Sequence, residues 1–156
     1  SVVTVGEAGS GSGPVELRYR IEKSLEDETL PGRIVVEPFG VLRKSENPFS
    51  RPERQSAIVF DYPYEVCETV AMWVPEGMSI EAMAEDTTFT NAAGSFEARF
   101  NAVGNRVVAQ HLLRVKEAVW DPADYEKVQR LFALEAALGT RAVGLKDEAG
   151  VVGGKP

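Results

Sequence analysis

Alternation of apolar and polar positions dominates the chain until about residue 120, where a three-to-four spacing replaces it. Val15, Leu17, Tyr19 and Ile21 alternate with Glu16, Arg18, Arg20 and Glu22. This predicts a strand over Val15–Lys23 with one packed face and one wet face. Arg33–Leu42 is rich in Ile, Val and Phe but interrupted by Pro38, which predicts an edge position or a bulge. A short strand is expected over Ser56–Phe60 and a longer one over Tyr64–Val74. In the longer one Tyr64, Val66, Val70, Met72 and Val74 share a face, with Glu68 as the exception. Further strands are predicted around Ser79–Ala84 and Thr87–Thr90. Phe96, Ala98 and Phe100 alternate with Glu97 and Arg99, and a last long strand covers about Arg106–Val119. The short connection from Asn101 to Asn105 makes these last two a hairpin.

A helix is signalled once, at about residues 122–138. Asp121 suits an N-cap and Pro122 the first helical position. Tyr125, Val128, Leu131, Phe132 and Leu138 then form one apolar stripe, and Gly139 is placed to end it. Glu126, Lys127, Arg130 and Glu135 read as its polar face, so the helix docks on a core rather than a membrane. Arg141–Leu145 fits a final short strand. Many strands, Pro/Gly turns such as Pro75-Glu76-Gly77, and one late helix predict a mainly β fold. The expected architecture is an antiparallel β-sandwich with a C-terminal α-helix packed against it.

The ends change composition. Residues 1–14 read as a flexible Gly/Ser-rich segment and residues 147–156 as a flexible tail, leaving residues 15–146 as one sandwich domain. The polar, proline-bearing stretch Arg43–Gln55 reads as a long loop. At 156 residues the length suits one domain, and 44% apolar residues supply a sizeable core. A formal net charge of -7 disfavours nucleic acid as a partner. No apolar run reaches the roughly 20 residues that span a bilayer, so no membrane insertion is expected.

Candidate chemistry is sparse. The chain has one cysteine, Cys67, and one histidine, His111, which excludes an intramolecular disulfide and a Cys/His zinc site. Cys67 lies between Glu65 and Glu68, and carboxylates raise a thiol pKa instead of activating it. His111 falls in line with Val107, Ala109, Leu113 and Val115, the setting of a packed histidine. The two could pair on adjacent strands, but nothing marks the orienting group and oxyanion hole that such a pair needs. The acidic turn Glu26-Asp27-Glu28 lacks a calcium-loop pattern. The Gly9–Gly13 run lacks the Lys-Ser/Thr ending of a phosphate loop. No catalytic, cofactor-binding or metal-ligating residue is therefore assigned, and no cofactor is expected.

Four segments in a fixed order carry a resemblance. They are Asn47-Pro48-Phe49 with Arg51 or Arg54 and the strand Ala57–Tyr62; Val74-Pro75-Glu76-Gly77-Met78 with Ile80-Glu81; Phe96–Phe100 with Gly104 and the strand to Leu113; and Trp120-Asp121-Pro122-Ala123-Asp124-Tyr125 leading to Ala142-Val143-Gly144-Leu145. Together they resemble the C-terminal β-rich domain called domain of unknown function 3858, found in bacterial transglutaminase-like proteins that also carry a domain of unknown function 3857. The resemblance implies an accessory domain beside a papain-like core, and a bacterial periplasmic or cell-envelope location. Neither Cys67 nor His111 matches the cysteine–histidine–aspartate set of such a core, so no catalytic residue carries over.

The expected function is thus a non-catalytic accessory domain that packs against or positions a neighbouring transglutaminase-like domain. The alternative is a glycan- or peptide-binding module. Its rim would be the Arg43–Gln55 loop and the Pro75–Met78 turn, with Phe49, Tyr62, Tyr64 and Trp73 as stacking surfaces.

Overall fold

The computed structural model describes residues 2–5, 19–22, 29–30, 32–40 and 46–148. The Glu26–Glu28 turn, the Gly9–Gly13 run and residues 149–156 lie outside them, as does most of the strand expected at Val15–Lys23. The described elements are β1 (Val2–Val5), β2 (Tyr19–Glu22), β3 (Thr29–Leu30), β4 (Arg33–Val36), β5 (Ile58–Val59), β6 (Tyr64–Trp73), β7 (Met78–Met83), β8 (Thr87–Thr90), β9 (Gly94–Val103), β10 (Arg106–Val115), β11 (Val119–Trp120), α1 (Tyr125–Leu138) and β12 (Val143–Asp147). The reading of residues 1–14 as flexible passes over Val2–Val5, whose β-branched run forms β1 against β2.

Two four-stranded antiparallel sheets dominate, in the orders β6-β10-β9-β8 and β3-β4-β12-β7. The chain leaves the first sheet after β6 through Val74–Gly77, builds β7 in the second, and returns to β8 through Ala84–Asp86. The hairpin β9–β10 turns on Gly104-Asn105, where Gly104 has φ 62°, a conformation that glycine adopts without steric cost.

The core follows from the alternation. Phe96, Ala98 and Phe100 of β9 and Val107, Ala109, Leu113 and Val115 of β10 are buried, together with Val143 and Leu145 of β12. Val70 and Met72 of β6 and Ile80 of β7 pack against them half-buried. One helix completes the cover. Val128, Leu131, Phe132 and Leu138 of α1 are buried, each worth roughly 1.5–3 kcal/mol when removed from water. Gly94 makes the close fit possible on two sides, because a Cβ there would stand 2.9 Å from the Leu131 side chain of α1 and would collide with the Arg114 carbonyl oxygen of β10.

Three local expectations are corrected. Pro38 neither lies in a strand nor marks an edge: β4 ends at Val36 and runs between β3 and β12. The missing proline N–H falls in the following turn, closed by Gly40 N–H donating to the Glu37 carbonyl. The strand expected over Arg106–Val119 is broken after Val115, and only Val119–Trp120 resumes, pairing with β5. The helix opens with a 3-10 turn over Pro122–Asp124, capped by Asp121, whose carboxylate accepts from Ala123 N–H at 2.9 Å. Gly139 does follow the helix, but in a right-handed conformation with φ -61°.

Candidate functional site

His111 and Cys67 occupy adjacent strands but opposite faces. Register places His111 across from Glu68 and Leu112 across from Cys67. Since successive side chains alternate across a strand, the imidazole enters the core and the thiol points outward. His111 is 2% exposed, whereas Cys67 is exposed. The Cys–His pair that the sequence left open therefore does not form.

The histidine has a different partner. Its Nε2 lies 2.8 Å from Oε2 of Glu135 on α1. Its ring is enclosed by Phe39 and Phe96, with centroids 6.1 and 5.3 Å away. Glu135 thus leaves the solvated helix face assigned to it from sequence. A signal was available: Val128, Leu131, Glu135 and Leu138 follow one another at helical spacing, so Glu135 lies within the apolar stripe. Glu68 is the matching exception on β6. His111 and Glu135, polar interruptions of two apolar rows, meet between the sheet and the helix, and Glu68 stands opposite His111 in the strand register. With no side-chain surface on His111, this arrangement ties α1 to β10; a substrate carbonyl has no path to the imidazole. Among the described residues, no group of three or more His, Cys, Asp or Glu side chains is placed to hold a metal ion.

The outer face is organised by ion pairs. Arg114 meets Glu65 with Nε and a terminal nitrogen at 2.7 and 2.5 Å, and Arg99 pairs with Glu97. Arg106 instead lies over the Trp73 ring, 5.7 Å from its centroid. In the second sheet Arg33 meets Glu81 at 2.7 Å; that hydrogen bond, helped by charge attraction, holds the Glu81 carboxyl below its ordinary range. Burial pushes the Tyr64 phenol up.

The segment after residue 46 is an extended loop fixed to α1. Asn47 Oδ1 accepts from Phe49 N–H at 2.9 Å, and Asn47 Nδ2 donates to the Gln129 carbonyl at 3.3 Å. Phe49 inserts its ring against Phe132, 4.9 Å between centroids, and Phe60 stacks on the same ring at 5.7 Å. The Arg51 carbonyl accepts from both Tyr125 Oη and Gln129 Nε2 at 2.8 Å. Arg54 Nε closes the loop on the Ser56 carbonyl at 3.1 Å. Beside it lies a hollow of about 640 Å³, lined by Pro48, Ser50, Arg51, Glu53, Arg54, Gln55, Ser56 and Tyr125.

A second hollow, of about 580 Å³, lies between the turns at Pro75–Met78 and Gly104-Asn105. The single rim expected from the loop and the Pro75–Met78 turn does not exist. Tyr64, at one end of β6, contacts the aromatic cluster under the loop, while Val74, beyond the other end, bonds to Asn105. A ten-residue strand, roughly 30 Å, separates them. The stacking platform divides likewise: Phe49 is buried, Tyr64 is half-buried, and only Tyr62 (66%) and Trp73 (69%) are well exposed, at opposite ends.

Comparisons with known proteins agree with this picture. The crystal structure of a Parabacteroides distasonis protein, provisionally described as a protease, superposes with a TM-score of 0.63 at 14% identity. The match covers 77% of this chain and 24% of that one, so this chain spans about a quarter of that protein, and the likeness is one of fold. No curated protein matches. A family model of a domain of unknown function with a solved structure, DUF3858, matches residues 32–139. These residues include the loop, both long hairpin strands and the whole of α1, and on that match the chain belongs to the DUF3858 family.

Proposed function

We propose that this chain is a non-catalytic accessory domain of a bacterial transglutaminase-like protein, acting in the periplasm or cell envelope, that packs against or positions the catalytic core. The observation that carries this reading is what the motif residues do. Asn47, Phe49, Asp121 and Tyr125 hold their own chain together. They fix a loop, a helix start and an aromatic cluster, and none converges on a reacting atom. Cys67 and His111, the residues a thiol enzyme would require, are divided by the sheet. The fold match to one quarter of a larger protein fits a domain that works beside others. Among the described residues no helix is long and apolar enough to cross a membrane.

The test begins with the coding sequence around this segment. A papain-like domain with its own cysteine, histidine and aspartate supports the reading, and an unrelated neighbour overturns it. Where that core is present, deleting this domain is expected to lower the core's solubility or activity. A core that is fully stable and active alone counts against positioning. A glycan-binding role is the second reading. It rests on Trp73, whose exposed ring beside Arg106 suits stacking on a sugar. Unchanged Trp73 fluorescence across a panel of neutral and acidic oligosaccharides would remove it.

A further inference from the structure

The accessory role leaves one built feature unused. The hollow beside the loop at residues 48–56 is the larger of the two described above, and its size lies within the range of small-ligand and peptide sites. Two arginines line it against one glutamate, Glu53, in a chain whose net charge is -7. The arginines differ. Arg54 is engaged with the Ser56 and Ala57 carbonyls, so its guanidinium is held in place and its remaining N–H groups stay available. Arg51 contributes its carbonyl to Tyr125 and Gln129, while no carboxylate among the described residues lies within ion-pair distance of its guanidinium. On the outer sheet face, by contrast, Arg99 and Arg114 are matched with Glu97 and Glu65.

The loop is also held before any ligand arrives. Phe49 sits in the aromatic cluster, Asn47 is bonded to the helix, and the Arg51 carbonyl takes two donors from α1. Fixing the backbone on both sides of Arg51 lowers the ordering cost of binding. Ser50, Gln55 and Ser56 line the same hollow with further polar groups. A planar guanidinium with free donors matches a carboxylate through two parallel hydrogen bonds.

We infer that the hollow between the Pro48–Ser56 loop and Tyr125 binds an acidic peptide segment, with Arg51 as the carboxylate-recognising residue and Arg54 as its support. This goes beyond the accessory reading and does not depend on it.

The test is an amide NMR titration of the 156-residue chain with acetylated, amidated tetraglutamate and, in parallel, tetraglutamine. The expected result is saturable shifts at residues 50–56 and Tyr125 with tetraglutamate, absent with tetraglutamine. Arg51→Gln is expected to weaken binding about tenfold, and Arg51→Lys to restore only part of it, because a lysine keeps the charge but not the fork. Both variants alter an exposed side chain, and an unchanged amide spectrum elsewhere reports that they fold. No saturation at about 10 mM peptide, where even a weak millimolar site would fill, overturns the proposal. So do equal shifts with tetraglutamine, or full affinity in Arg51→Gln. Inorganic phosphate forms a third arm. If it saturates the same amides more tightly than tetraglutamate, the hollow is a small-oxyanion site and the peptide assignment is overturned.

Discussion

On the inner face of the β6-β10-β9-β8 sheet, His111 is packed against aromatic rings and meets a helix carboxylate at 2.8 Å. On the outer face, one residue further along the same two strands, Cys67 stands exposed between arginine–glutamate pairs. The chemical types are alike in promise, since both are nucleophile-and-base material. Their environments make them opposites. Water screens the outer pairs, so each contributes little and tolerates change. Inside, a polar group that loses its partner has no water to replace it. The buried contact therefore serves stability and the docking of α1, and the exposed thiol carries neither load.

The comparison is tested most severely at the buried contact. Glu135→Leu is expected to cost about 3 kcal/mol or more in urea unfolding, because it leaves a buried imidazole without its carboxylate. The double variant Glu135→Leu with His111→Leu should recover much of that loss; failure to recover would show that packing volume, not the pair, is what matters. Gly94→Ala comes next, since its Cβ would meet the Arg114 carbonyl oxygen and the Leu131 side chain. An overpacking cost of about 1–3 kcal/mol is expected, read as a lowered denaturant midpoint.

The exposed pairs give smaller effects. Arg33 holds the Glu81 carboxyl below its ordinary value of 4.5. A carboxylate with a depressed folded-state pKa contributes stability above its unfolded value, and the contribution disappears as pH falls through the folded one. The stability gap between the wild type and Glu81→Gln is thus expected above that window, to close as acid is added, and to shrink in high salt. Cys67→Ser should change stability by less than about 0.5 kcal/mol. In the folded protein Cys67 should react with an aromatic disulfide reagent without prior unfolding. Slow, unfolding-limited labelling would mean that the outer face is covered in solution.

Much of this organisation was legible in residue order. Period-two patterns located β6, β9 and β10, because a half-buried sheet must alternate. The Asp121-Pro122 start and the stripe from Tyr125 to Leu138 located α1, because capping and helical periodicity are local properties. The inward setting of His111 followed from its apolar row. The loop after residue 46 showed as polar and proline-bearing, and its motif residues were visible but not their task.

Tertiary structure decided the rest. Whether Pro38 interrupts an edge or ends an inner strand depends on which strand lies alongside, and strand order is not encoded in any local window. The separation of the Pro48–Ser56 loop from the Pro75–Met78 turn followed only once β6 was laid between them. Glu135 is the clearest case. Its charge assigned it to solvent and its spacing to the core, and the contest was settled by a histidine 24 positions away that only the packed helix could bring within 2.8 Å. Sequence fixes which face a side chain takes along its own element; contact between elements is set by closure of the whole fold, because a buried polar group is stable only where another chain segment supplies its partner.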